Sequence, residues 1–329
     1  MVIFNEIWND QSGASMKFES LDESSHGEGT DRVLLSWVPN DETRALVEDA
    51  CLALRASPQA RTMEQYELGH KLISLRPTDY AGYRLILQCV RLGLVSPQHE
   101  LDRSAVIAQA SSKNFQVWPH RYALMQILPE EDRKSYYELR ERSLVCSILS
   151  MDSKNYHVWN YKMSLTNLLN NLDWREELQW VEQLLENDLL NNSYWAYRLM
   201  CVKNLLTSGE AAYEDEFSFV DSALSKTPAN QAIWDYLRGL YDWVTTEGAG
   251  QGGLSQRSTL EELYNLVLQY TSPPAVVPAG LYLRVLLLPL HPEDTDRLKG
   301  LLDELSVSHP TTRLWTLMTK FAFKLVDNT

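Results

Sequence analysis

Apolar positions along this chain recur with the 3.6-residue period of amphipathic helices, and no stretch alternates with period two for long enough to make a strand. The clearest helix spans 174–188, where Trp174, Leu178, Val181 and Leu185 fall on one face. The first helix is predicted after Pro39-Asn40-Asp41-Glu42, whose polar cap and early acids suit a helix start, and it runs to about Ala56. Ser57-Pro58 breaks it, and a second helix covers 63–74. From Pro77 to about Glu247 a steady pattern follows: a helix beginning near a large aromatic, a short polar turn, then a second amphipathic helix. Four more helical patterns lie beyond, at 258–269, 278–288, 292–307 and 311–326, with Trp315 a worn aromatic anchor in the last.

That alternation is a repeat. Ser112-Lys113-Asn114-Phe115-Gln116-Val117-Trp118 is echoed by Ser153-Lys154-Asn155-Tyr156-His157-Val158-Trp159, and more faintly around Tyr83, Trp195 and Trp234. The spacing of these five aromatics falls within the period of helical-pair arrays, roughly 34–47 residues. The expected fold is therefore all-α: a right-handed, crescent-shaped superhelix (an α-α solenoid) of antiparallel helical hairpins. Four residues before each aromatic stands Asp79, Asn114, Asn155, Asn191 or Asn230, good helix caps, and the aromatic a turn later is expected to wedge between successive helices. Pro119 would disrupt a helix interior, so the second copy is expected to start its helix later, near Trp118.

Residues 1–35, rich in Ser, Gly, Asp and Glu after a short apolar patch, read as a poorly ordered segment, and 36–329 as a single repeat domain. The stretch 247–253 formally contains Gly-x-Gly-x-x-Gly, but a helix precedes it where a dinucleotide site needs a strand, so it reads as a connector. A net charge of −14 argues against nucleic acid as a partner. The four cysteines are scattered within helical patterns, as expected of buried free thiols in a reducing compartment. With no signal peptide or membrane-length apolar run visible, the expectation is a cytoplasmic protein without stable membrane insertion.

Function has to be sought where the copies differ. Lysine five residues before the aromatic, an aromatic three before it, and Gln or His two before it coincide only in the second and third units: Lys113, Phe115, Gln116 and Lys154, Tyr156, His157. A lysine ahead of a helix N-terminus suits an anion such as phosphate, although the same residues also suit a solvated turn. The basic residues three after the aromatic (Arg121, Lys162, Arg198) read as structural partners of acids or carbonyls in neighbouring helices. No complete catalytic set and no metal-ligand spacing of the seven histidines emerges, so any catalysis would use a site built mostly by another chain.

The Lys-Asn-aromatic-x-Val-Trp pair and the later Asn191-Asn192-Ser193-Tyr194-Trp195 make the chain resemble the protein prenyltransferase α-subunit family, above all the α-subunit shared by farnesyltransferase and geranylgeranyltransferase type I. The resemblance covers about 60–245 well, the part beyond 245 only in helical outline and 1–40 hardly at all. It implies a heterodimer with a β-subunit that carries the catalytic Zn2+, with no cofactor on this chain and Mg2+ admitted beside the diphosphate. It implies transfer of farnesyl or geranylgeranyl from its diphosphate to the cysteine of a C-terminal Cys-aliphatic-aliphatic-X (CaaX) motif, as on small GTPases. By resemblance Lys113 assists diphosphate departure, Gln116 meets the C-terminal end of the peptide, and Tyr156 and His157 line the cleft between subunits, with Tyr80 a weaker match there. Phe115 and Pro119 depart from the family's usual Tyr and His. The alternatives are the Rab-type geranylgeranyltransferase α-subunit and a non-enzymatic helical-repeat scaffold.

Overall fold

Each large aromatic in the repeat is fixed by one carbonyl. In the computed structural model, which describes residues 41–169, 172–211, 213–246, 255–273, 276–308 and 324, the indole N–H of Trp118, Trp159, Trp195 and Trp234 donates to the carbonyl six residues earlier. Those carbonyls belong to Ser112, Ser153, Leu189 and Pro228, at 2.7–2.9 Å, and the Tyr83 hydroxyl reaches that of Pro77 at 3.0 Å. The hydrogen bond lets the ring be buried without leaving its N–H unpaired, and all five aromatics are buried. A buried Trp removes about 150–250 Å² from water, or ~4–6 kcal/mol per wedge at about 25 cal/mol/Å².

The wedges sit in the first turns of helices that form one layer: α3 (Tyr80–Arg91), α5 (Val117–Ile127), α8 (Tyr156–Leu168), α10 (Asn192–Ser208) and α12 (Gln231–Thr246), followed by α14 (Pro278–Leu286). Each packs on the next in that order. Their hairpin partners are α2 (Met63–Leu75), α4 (Pro97–Ala110), α7 (Arg142–Met151), α9 (Trp174–Asn187), α11 (Tyr213–Lys226) and α13 (Gln256–Thr271). The short α6 (Glu130–Tyr136) runs into α7 through a π turn, Tyr137–Glu141. The α2–α3 hairpin closes tightly because a Cβ on Gly82 would lie 2.5 Å from an Ile73 methyl and 2.9 Å from the Gly69 carbonyl. One apolar core runs from Tyr66 to Leu287. Two smaller clusters flank it: Leu46, Ala50 and Ala53 of α1 (Asp41–Arg55) pack with Leu72 and Leu85, and Leu298 and Leu302 of α15 (Thr295–Ser308) with Leu281, Val285 and Leu288.

The described residues are all-α, as the periodicity predicts. Helix α5 begins at Val117, so Pro119 falls in the first turn, where a missing N–H costs nothing. Two expectations change. Pro292–Asp294 is a separate 3₁₀ turn ahead of α15 rather than its start, and Cys51 is exposed while Cys89 and Cys201 are buried, because only one face of α1 is covered. Trp315, residues 1–35 and the stretch 247–253 lie outside the described residues.

The cap residues do more than cap. Asp79, Asn155, Asn191 and Asn230 accept the free N–H groups of their helices through the side-chain oxygen, and Asn114 accepts that of Gln116. The Asn amide simultaneously donates to the turn of the preceding unit. Asn114 reaches the Pro77 carbonyl, Asn155 that of Ser112 at 3.3 Å, Asn230 that of Leu189 at 2.7 Å, and Asn191 the Ser153 hydroxyl at 3.3 Å. Asp79, first in the series, has no side-chain N–H and instead pairs with Arg76 at 3.2 Å.

A second repeating bond runs through the interior. Glu100, Glu141, Glu177 and Glu216 precede Trp118, Trp159, Trp195 and Trp234 by one constant offset, and all four are buried. Each meets the residue two after that aromatic: His120 at 3.0 Å, Tyr161 at 2.6 Å, Tyr197 at 2.7 Å and the Tyr236 hydroxyl. Three of them also hold the basic residue of the preceding unit: Arg121 on Glu141, Lys162 on Glu177 at 2.7 Å, and Arg198 on Glu216. One carboxylate thus ties three successive helices. Burial alone would favour the neutral acid at Glu177, but the charge and hydrogen bond of Lys162, with the Tyr197 hydroxyl and the Arg142 charge, together outweigh it and lower its pKa. At Glu100 burial is likewise outweighed, here by hydrogen bonds with His120 and His70, and the carboxyl is held at about 2.

Two outcomes follow for stability. Asn230→Asp keeps the cap acceptor but sets a carboxylate oxygen against the Leu189 carbonyl, and we expect a loss of about 1–3 kcal/mol in urea unfolding; wild-type stability would refute the donor role. Glu177→Ala leaves Lys162 buried without its counter-charge and is expected to cost about 3–5 kcal/mol, with Lys162→Met recovering part of it in the double variant.

Candidate functional site

The turns that carry the Asn stitch lie side by side along one edge, and the site residues assigned by resemblance sit there, while Arg121, Lys162 and Arg198 are in the interior. Tyr80 opens α3, Lys113 and Gln116 stand in the turn before α5, and Tyr156 and His157 open α8. Neighbouring turns touch directly, since Asn114 reaches back to Pro77 and Asn155 to Ser112, the residue beside Lys113.

The repeat's own residues on this edge are buried, whereas most of those that differ between copies in the second and third units are exposed or half-buried. Asn114, Asn155, Trp118 and Trp159 are buried, while Tyr80, Phe115, Tyr156 and Leu190 are 50–65% exposed. The Lys113 side chain is 80% exposed, and its ammonium lies 3.4 Å from an Asp152 carboxylate oxygen in the adjacent turn. Tyr156 and His157 are drawn together, their rings 3.8 Å apart between centroids and inclined by 35°. His157 is half-buried, and that burial lowers its pKa below the ordinary histidine value, favouring the neutral imidazole. Gln116 is half-buried; its backbone N–H is taken by Asn114 at 2.9 Å, and among the described residues its side chain makes no hydrogen bond, leaving the amide available to a ligand.

Chemically, this edge offers an exposed ammonium, an amide with both donor and acceptor unused, an imidazole set against a phenol, and a run of exposed rings. Backbone N–H groups at the helix starts add partial positive charge. Such a set suits an anion beside an apolar, extended ligand; it contains no activated nucleophile. Among the described residues no group of His, Cys, Asp and Glu could hold a metal ion, and no helix is long and apolar enough to cross a membrane. Sequence reading missed Asp152 as a neighbour of Lys113, and the buried glutamates entirely. The constant offset between each glutamate and its aromatic was the available signal for the latter.

Comparison with known proteins agrees with this geometry. The family model for the protein prenyltransferase alpha subunit repeat matches residues 139–169 and 213–244. Each match is one hairpin of the array: the first holds Glu141 and Trp159, the second Glu216 and Trp234. No curated protein matches the chain in sequence. Among solved structures the chain is similar to one from Candida albicans, protein geranylgeranyltransferase-I complexed with GGPP, with a TM-score of 0.68 and 18% identity. The match covers 94% of this chain and 100% of that one, and at such identity it shows the fold. The protein prenyltransferase alpha subunit repeat is thus matched in two hairpins of the array, in line with the resemblance carried by the Lys-Asn-aromatic motifs, and the fold of the solved structure extends over nearly the whole chain.

Proposed function

We propose that this chain is the α-subunit of a heterodimeric protein prenyltransferase of the farnesyltransferase or geranylgeranyltransferase type I class. The observation that carries the reading is the placement of Lys113: an 80% exposed ammonium on the turn edge, at a position where the copies of a prenyltransferase alpha subunit repeat diverge. The complex of the Candida albicans structure with GGPP supports an isoprenoid diphosphate as the ligand class.

In this reading the cysteine sulfur of a CaaX peptide attacks the first carbon of the isoprenoid, the carbon–oxygen bond breaks, and diphosphate leaves with the electron pair. Negative charge grows on the departing oxygens, so the Lys113 ammonium stabilises the transition state more than the bound substrate. The partner β-subunit would hold Zn2+, which supplies the sulfur as thiolate, and Mg2+ would accompany the diphosphate. Gln116 would accept and donate to the C-terminal end of the peptide, while Tyr156, His157 and Tyr80 would line the cleft between subunits. The neutral state favoured for His157 suits a hydrogen-bonding role there. The complex would act in the cytoplasm on small GTPases and similar CaaX proteins.

Co-expression with prenyltransferase β-subunits, followed by transfer assays with farnesyl and geranylgeranyl diphosphate on a Cys-terminal peptide, tests the reading. A β-subunit is expected to co-purify with transfer activity. Lys113→Ala should leave assembly intact and slow single-turnover transfer by roughly 10²–10³-fold, the usual loss on removing one placed stabiliser of developing charge. Failure of any β-subunit to co-purify, with no transfer to the peptide, would return the chain to a helical-repeat scaffold.

A further inference from the structure

A pairing between units accompanies the lysines. Lysine stands five residues before the aromatic only in the second and third units (Lys113, Lys154), and aspartate seven before it only in the third and fourth (Asp152, Asp188). Each aspartate therefore falls one unit after a lysine, on the turn next to it. The two pairs are used differently. Asp188 accepts the N–H of Leu190 at 3.2 Å and serves its own turn, whereas Asp152 extends to the preceding turn, where its carboxylate lies 3.4 Å from the Lys113 ammonium.

The two partners also differ in freedom. Asp152 closes α7: its N–H donates to the Ile148 carbonyl at 2.9 Å and its own carbonyl accepts from Asn155 at 3.1 Å, so its backbone is fixed by the same turn that presents Tyr156 and His157. Its side chain is one-third exposed, against 80% for Lys113. A lysine with four rotatable bonds and that exposure explores many positions unless one charge draws it to a preferred one. Here the only acid paired with it, among the described residues, is Asp152.

We propose that Asp152 is a positioning residue for Lys113. It draws the ammonium across the gap between the second and third turns and holds it beside the unit that carries Tyr156 and His157, to be released to a more highly charged anion. The inference rests on the reading of Lys113 as a diphosphate contact. As an exposed pair it adds little to folding; its consequence lies in where the charge stands when the leaving group develops.

The test uses the complex with its β-subunit and farnesyl or geranylgeranyl diphosphate. Asp152→Asn, which keeps the turn backbone, is expected to slow single-turnover transfer at saturating diphosphate about three- to ten-fold. The Kd for the isoprenoid diphosphate should not weaken, because a negative charge has been taken away from its surroundings. In the Lys113→Ala background the same substitution should cause no further slowing, and Asp152→Glu should restore at least half of the lost rate. Equal slowing in both backgrounds, or none in the wild-type background while Lys113→Ala is slow, overturns the positioning role and leaves the prenyltransferase reading standing. If Lys113→Ala itself transfers at the wild-type rate, the role of Lys113 falls, and that of Asp152 with it.

Discussion

A carbonyl oxygen has two lone pairs, and this array depends on both being used. At Ser112, Leu189 and Pro77 one lone pair takes the ring donor of the unit's own aromatic, and the other takes the amide of the next unit's asparagine. The first bond lets the aromatic be buried with its donor satisfied, and the second ties the next helix to the same turn; before α10 the Ser153 hydroxyl takes the asparagine instead of the carbonyl. Asparagine is the side chain that fits, because its oxygen can cap a helix while its nitrogen donates backwards. Aspartate can only do the former, and it appears where there is no earlier turn in the series, at Asp79.

This constraint fixes distances on one edge and leaves the other free. The offsets from each aromatic to its carbonyl, its cap and its buried glutamate are the same from unit to unit, whereas the spacing between successive aromatics changes. All of that variation falls between one aromatic and the following glutamate, where the chain crosses the opposite edge. Pro129, the π turn at Tyr137–Glu141 and the positive-φ Gly209 all lie in those crossings. The longest interval holds the short helix α6 as well as the π turn, and it still delivers Glu141 to its place under Tyr161 and Arg121.

How much of this the chain discloses in advance depends on whether partners share a helix or a turn. The caps, the wedges and the late start of α5 are local, and periodicity with proline chemistry was enough to find them. Arg121, Lys162 and Arg198 could be recognised as structural bases, but their acids could not be named, because the glutamates lie 15–20 residues away on another helix. The backward reach of asparagine was hidden for the same reason: its acceptor is 37–43 residues distant and becomes a neighbour only on stacking. The approach of Asp152 to Lys113 crosses a whole unit and belongs to the same class.

An edge of this kind is well placed to acquire chemistry. The asparagines that hold neighbouring turns together point inward, each accepting from its own helix while donating to the turn before, so they cannot vary without leaving a buried group unpaired. At the positions five and three before the aromatic the side chain is not needed by the repeat, and the exposure of Lys113, Phe115 and Tyr156 is the physical expression of that freedom; two before it only the backbone N–H is claimed, by the cap. Substitution there changes charge and shape on the edge while the spacing of the turns stays set by the stitch beneath. A lysine on one turn can then be governed by an acid on the next without either being asked to hold the fold. The rigid part of each unit supplies the distance, and the variable part supplies the chemistry.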